Sequence, residues 1–232
     1  MKSVVRRLTL VMAITVVWLS LGCFSCHAAQ PKGVYSKNVN ATQKIALTFD
    51  DGPHPRYTEQ ILDILNRYHV TATFFMIGCN ISYYPESFQK ILESGCEVGN
   101  HTYSHRRVKE MTEREIIREL ISCEDMISKA GGEKTTLFRP PQGALNNSVM
   151  QIAESLGYTV VLWSIDTLDW AHNPPAEICQ NVIDSVENGD IILMHDYVSG
   201  TNTTCHALEL LIPALLERGY EFVTVSQLLT ER

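Results

Sequence analysis

Apolar runs and amphipathic stretches take turns along this chain. Runs rich in β-branched, leucine and aromatic residues recur at 44–50, 72–77, 96–100, 136–139, 158–164, 190–195 and 221–225. Between them lie segments whose apolar residues fall three and four positions apart, such as Ile61, Leu62, Ile64 and Leu65, or Ile116, Ile117, Leu120, Ile121 and Met126. Short apolar runs suit strands and the three-to-four spacing suits helices, so the alternation predicts a parallel sheet with right-handed helical crossovers. Thr112-Glu113-Arg114-Glu115 reads as a capping box and Pro174-Pro175-Ala176-Glu177 as another helix start. Gly157 and Gly219 stand where helices hand over to strands. The helix expected from about 112 to 129 carries Glu113, Arg114, Glu115, Arg118, Glu119, Glu124 and Asp125, which read as a solvated outer face.

Five of the apolar segments stop at polar residues with chemical potential. Ile45-Ala46-Leu47 runs into Thr48-Phe49-Asp50-Asp51-Gly52, placing two like charges side by side at a strand end. Crowded carboxylates raise each other's pKa unless a cation sits between them. Further on, Gly99-Asn100 leads into His101-Thr102-Tyr103-Ser104-His105, two imidazoles four positions apart. Two imidazoles and one of the carboxylates make a donor set suited to zinc and other divalent transition metals, with positions left for water and substrate. Leu137-Phe138 then stops at Arg139-Pro140-Pro141-Gln142-Gly143, Val160-Val161-Leu162-Trp163 at Asp166-Thr167-Leu168-Asp169-Trp170, and Ile191-Ile192-Leu193-Met194 at His195-Asp196. Taken singly, Asp51-Gly52 is an ordinary turn, Arg139 a surface ion-pair partner and His195 a hydrogen-bonded core histidine. As five in register they describe one face of an α/β barrel, where strand C-termini converge.

On these residues the chain resembles the polysaccharide deacetylases, the NodB-homology domain of carbohydrate esterase family 4, over about residues 43–230. Thr48 to Gly52, His101 to His105, Arg139 to Gly143, Asp166 to Trp170 and Leu193-Met194-His195 follow that family's five motifs in order. The resemblance implies a distorted (β/α)7 barrel of the α/β class, one strand short of a regular barrel and open along one side, a shape that suits a polymer. It implies a divalent metal, zinc first with cobalt, nickel or manganese as alternatives, held by Asp51, His101 and His105. It makes Asp50 the general base, oriented by Arg139, and His195 the general acid. The imidazolium of His195 is expected to draw support from Asp169, leaving Asp166 to pair with Arg139 or shape the groove. Pro140 and Gln142 fall on the substrate side, the backbone N–H near Gln142 as an oxyanion donor, and Trp170 is the platform for a sugar ring. Gln142 departs from the family, where an aromatic residue, usually Tyr, is common. The implied reaction removes N-acetyl groups from N-acetylglucosamine in a polysaccharide: peptidoglycan first, chitooligosaccharide or exopolysaccharide as alternatives. A carbohydrate-binding barrel without turnover is the competing reading, and an intact Asp50, Arg139 and His195 argue against it.

Composition narrows the setting. With 232 residues, 45% hydrophobic and 19% charged, the chain has the balance of one globular domain. A net charge of −7 and the lack of a basic cluster exclude a nucleic-acid partner. Lys2, Arg6 and Arg7 precede an uncharged apolar run from Leu8 to Phe24, so residues 1–29 read as a signal peptide, with cleavage after Ala28 or Ala29, or as a retained membrane anchor. A lipoprotein signal ending at Cys23 is a third option. A secreted or extracytoplasmic monomer is expected, with 30–42 a polar lead-in and 43–232 the catalytic domain. Cys79, Cys96, Cys123, Cys179 and Cys205 are odd in number and form no CxxC pattern, which favours free or buried thiols over disulfides.

Overall fold

The computed structural model describes residues 33–200 and 202–231. The N-terminal segment read as a signal or anchor lies outside them, and no helix among the described residues is long and apolar enough to cross a membrane. The strands are β1 (Val34–Tyr35), β2 (Lys44–Asp50), β3 (Thr73–Met76), β4 (Glu97–Asn100), β5 (Leu137–Phe138), β6 (Thr159–Val161), β7 (Ile165–Asp166), β8 (Ile191–His195) and β9 (Glu221–Phe222). The helices are α1 (Tyr57–Tyr68), α2 (Gly78–Tyr83), α3 (Pro85–Glu93), α4 (Glu113–Lys129), α5 (Asn147–Ser155), α6 (Pro175–Ser185), α7 (Thr204–Glu217) and α8 (Val225–Thr230). Every strand ladder is parallel, in the order β1-β6-β5-β4-β3-β2-β8-β7, with β9 on the start of β2. The sheet curls but does not close, since β1 and β7 are its two ends. This is the open (β/α) barrel that the resemblance implied.

Alternation along each strand sorts residues between two layers. From β2, Ile45, Leu47 and Phe49 pack outward with Ile61 and Leu65 of α1 and Leu208 and Leu211 of α7. Ala46 faces the barrel interior with Phe75, Leu137, Val161 and Ile191, and Val225, Leu228 and Leu229 of α8 join that cluster. Thr48 and Asp50 keep the same parity as Ala46, so the inward row of β2 ends on a carboxylate. The Thr112 capping box forms as expected, with Thr112 Oγ1 accepting from Glu115 N and Glu115 reaching back to Thr112 N.

Two strands escape the apolar pattern. The polar lead-in carries β1, which pairs Val34 and Tyr35 with Val160 and Val161. Asn38 ties it down further, its amide donating to the carbonyls of Leu228 (2.6 Å) and Glu231 (3.1 Å). The run expected at 158–164 yields only β6, and β7 follows just past its end at Ile165–Asp166. β6 sits beside β5, whereas β7 lies at the far end of the sheet against β8. Residues 162–164 cross the open side of the barrel, so Asp166 to Trp170 emerges next to His195 rather than next to Arg139.

Candidate active site

Asp50, Asp51, His101, Arg139 and His195 all sit at the carboxyl ends of β2, β4, β5 and β8. Asp50 is the last residue of β2 and lies directly opposite His195 in the ladder. Arg139 follows β5 and is fully buried inside the barrel. Its Nη1 donates to Asp50 Oδ1 (2.7 Å) and Thr48 Oγ1 (2.8 Å), its Nε to the Val161 carbonyl and its Nη2 to the Leu162 carbonyl. The guanidinium also lies over the Phe75 ring, 4.1 Å from its centroid. Burial pulls the Arg139 pKa down and Asp50 opposes that fall. A buried cation with this many acceptors fixes the direction in which Asp50 points.

The donor cluster stands beside this pair. His105 Nε2 is 3.1 Å and His101 Nε2 is 3.4 Å from Asp51 Oδ1, and one donor atom from each of the three residues lies within 4.8 Å of the others. His101 Nδ1 is 2.7 Å from the Arg139 carbonyl, which can only accept, so Nδ1 carries the proton and Nε2 keeps its lone pair. Asp51 Oδ1 is buried yet accepts no hydrogen bond of good geometry. An orphaned carboxylate oxygen facing two imidazole nitrogens is a set that fits a divalent cation. Burial acts to raise the Asp51 pKa, but the two imidazoles outweigh it and hold the carboxyl well below its usual range. Burial likewise acts to lower the His101 pKa, and Asp50, Asp51 and the Arg139 carbonyl carry it upward. Asp51, Thr102 and His105 all adopt left-handed backbone (φ 79°, 68° and 55°), a strain of about 1 kcal/mol each that non-glycine residues hold where surrounding contacts fix them.

On the other side, Asp169 Oδ1 is 2.8 Å from His195 Nδ1. Asp169 is fully buried and also accepts from the backbone N–H of His195 and Trp170 and from Thr204 Oγ1. Burial opposes the imidazolium of His195, but Asp169, followed by the charges of Asp50 and Asp51, overcomes it and raises the pKa to about 9. With Nδ1 committed to Asp169, Nε2 is the nitrogen left for substrate.

The remaining predicted residues divide. The Asp166–Arg139 pair does not form: Asp166 Oδ1 instead accepts from the Leu168 N–H and from Trp170 Nε1 (3.2 Å), because the crossing over the barrel opening carries it away from β5. Trp170 is 51% exposed, so its indole is open to solvent and not part of the core. Pro140 is buried, and its carbonyl accepts from Gly143 N in the turn that follows β5. Gln142 is exposed in left-handed backbone, φ 58°. The five cysteines beyond residue 33 are all free.

Sequence reasoning missed Glu119. Read as part of a solvated face, it turns inward and accepts from Ser104 N (2.8 Å) and Ser104 Oγ (2.7 Å), inside the loop that joins His101 to His105. Its position, three after Ile116 and four before Cys123 on the buried stripe of α4, is the sequence signal that marks it. Glu124 is a second inward charge, accepting from Tyr158 OH and Thr135 N.

An arginine-paired carboxylate, a donor set that fits a divalent cation and a carboxylate-paired imidazole share one barrel rim. The chain belongs to the polysaccharide deacetylase family, whose model matches residues 37–161. It is 39% identical over 203 residues to a peptidoglycan-N-acetylglucosamine deacetylase of Bacillus cereus, covering 86% of this chain and 95% of that protein. It is also 39% identical over 193 residues to a peptidoglycan-N-acetylmuramic acid deacetylase of Bacillus subtilis, covering 83% of this chain and 40% of that longer protein. Among solved structures, the Bc1960 peptidoglycan N-acetylglucosamine deacetylase superposes with a TM-score of 0.81 at 33% identity, covering 84% of this chain and 91% of that one. A pseudoenzyme of the same esterase family from Bacillus anthracis superposes equally well (TM-score 0.81, 30% identity, 87% and 70% coverage), so the fold by itself does not assign turnover.

Proposed function

We propose that this protein is a metal-dependent N-deacetylase of N-acetylglucosamine residues in peptidoglycan. The observation that carries the reading is the placement of the Asp50–Arg139 and His195–Asp169 pairs on either side of the Asp51, His101 and His105 donor set. A divalent ion held by those three residues, zinc being the first choice for one carboxylate and two imidazoles, would supply a Lewis acid that polarises the acetyl carbonyl and acidifies the attacking water. Asp50 takes the proton from that water, held in line by Arg139. His195 Nε2 gives a proton to the departing nitrogen as the C–N bond breaks, so that acetate and a free amine leave. Asp169 keeps the imidazole oriented and charged for that transfer. The backbone N–H near Gln142 is the candidate donor to developing negative charge on the carbonyl oxygen, and Trp170, with its indole held by Asp166, offers a face to the sugar. Peptidoglycan places the protein outside the cytoplasm, in keeping with a leader or anchor at residues 1–29.

The test is mass spectrometry of muropeptides and of chitooligosaccharides after incubation with the protein. Loss of acetyl from N-acetylglucosamine of peptidoglycan is expected. Loss confined to N-acetylmuramic acid, or to chitooligosaccharides, would replace the substrate, and no loss from any of them would leave a carbohydrate-binding barrel.

A further inference from the structure

Beyond the catalytic residues, the rim holds an aromatic cluster with no part in the chemistry above. The His54 imidazole is stacked between Tyr57 (centroids 4.7 Å apart, 23° between planes) and Tyr197 (5.1 Å, 15°), with Tyr84 tilted against it at 6.1 Å. Tyr83 meets Tyr84 edge-on. Tyr197 is 42%, Tyr84 37% and Tyr83 71% exposed. Scattered exposed tyrosines are ordinary on a protein surface. A mutually stacked set is not, because its rings have given up water to one another and still present open faces.

The cluster is built and aimed. His54 Nδ1 accepts from the backbone N–H of Arg56 and Tyr57, and His54 N donates to Thr58 Oγ1, which donates in turn to the buried carboxyl of Asp196 (2.6 Å). Burial and the nearby Arg56 charge both push the His54 pKa down, so the middle ring of the stack is an uncharged aromatic. Its members leave three adjacent strands at their carboxyl ends: His54 and Tyr57 follow β2, Tyr84 follows β3 by way of α2, and Tyr197 follows β8. Tyr197 is two residues beyond His195 and His54 three beyond Asp51. Asn80, on the helix that ends at Tyr83, donates its amide to the Asp51 carbonyl (2.8 Å). The aromatic surface is thus continuous with the catalytic rim. Trp170 follows β7, at the other flank of His195 in strand order.

We propose that Tyr57, Tyr84 and Tyr197, with His54 at their centre, form a second sugar-ring platform that holds a neighbouring pyranose of the polymer chain. A pyranose ring has a face of C–H groups that stacks on aromatic rings, while tyrosine hydroxyls can pair with the sugar's own hydroxyls. The locked stack needs little ordering on binding, which favours affinity. Among possible occupants a glycan fits best, because the surface adjoins the site where one sugar of that glycan reacts. This inference rests on the deacetylase reading for the identity of the polymer.

The experiment is calorimetric titration of the full chain with N-acetylglucosamine oligomers of increasing length, a binding readout that does not require turnover. Affinity is expected to rise with length in the wild type, and Tyr197→Ala and Tyr84→Ala are each expected to lower the affinity for the longest oligomer by about three- to tenfold, from the 0.5–1.5 kcal/mol typical of an aromatic contact. Tyr197→Phe keeps the ring and should retain most of the gain. Unchanged length dependence in the two alanine variants, with far-ultraviolet circular dichroism intact, would overturn the platform. So would a wild type that binds no oligomer, or a gain that appears only with peptide-bearing muropeptides. Acetate release measured in parallel separates the two readings. Ring-dependent binding without release keeps the platform and removes the reaction, whereas release with length dependence untouched in the variants keeps the reaction and removes the platform.

Discussion

At the scale of single residues, neighbours in sequence hold different offices. Asp50 and Asp51 are adjacent, yet the strand's alternation turns Asp50 inward to Arg139, while the left-handed backbone of Asp51 swings its carboxylate to the two histidines. Asp50→Asn should therefore retain bound metal and lose turnover by about a hundred- to ten-thousandfold, the range of a general base. His101→Ala should lose both; elemental analysis beside acetate release reads the two, and an Asn variant stripped of metal would show the roles to be misassigned. His195 obeys a second rule. As a general acid it must be charged, so activity should fall as pH rises through its pKa of about 9. Asp169→Asn removes the partner that raises this value, and the alkaline limb of the rate profile should move to lower pH. A limb that stays in place would take the proton-donor role from this pair. The family resemblance already pointed to Asp169 as the His195 partner, and the structure sets that carboxylate 2.8 Å from His195 Nδ1; that Asp166 turns to Trp170 instead of Arg139 was not legible.

Elements set what those residues can reach. The loop carrying His101 and His105 is short and strained, and α4 braces it through Glu119 on Ser104. Glu119→Ala should weaken zinc binding by about ten- to a hundredfold, as loss of a contact supporting a ligand does. Glu119→Gln keeps acceptor geometry for Ser104 N and should restore most of the affinity. Titration of the metal-free protein with zinc measures both, and equal affinities in wild type and Ala variant would leave α4 merely packed against the loop. The helical period put Glu119 beside the buried stripe, yet a charge at such a place is more often solvated. Only the position of Ser104 shows otherwise. The same applies to β6 and β7: separated by residues 162–164 alone, they lie on opposite sides of the sheet, β6 beside β1 and β7 beside β8, because parallel pairing is decided by partners far along the chain.

For the whole molecule, the barrel brings donors from β2 and β4 together, and an ion held there joins segments fifty residues apart. Exhaustive chelation should abolish acetate release, and zinc or cobalt should restore it. Saturating zinc should also raise the melting temperature, since a ligand bound at a hundred times its Kd stabilises the folded state by about 2.7 kcal/mol. Full activity in metal-free protein would refute the proposed donor set. The order of apolar runs and helical stripes determined the layered α/β architecture, because burial periods of two and three-to-four positions are local properties of the chain. Polar residues at successive strand ends likewise determined that there is a site, since parallel connections return every strand in the same direction and bring those ends to one rim. What the tertiary structure decided is long-range: that Val34–Tyr35 closes onto β6, that Asp166 turns to Trp170 and not to Arg139, that Pro140 is buried and Glu119 is not idle, and that four aromatic rings from three strand ends stack beside the catalytic residues. Each depends on distances between segments far apart in the chain, and those are fixed only when the sheet curls and the helices pack.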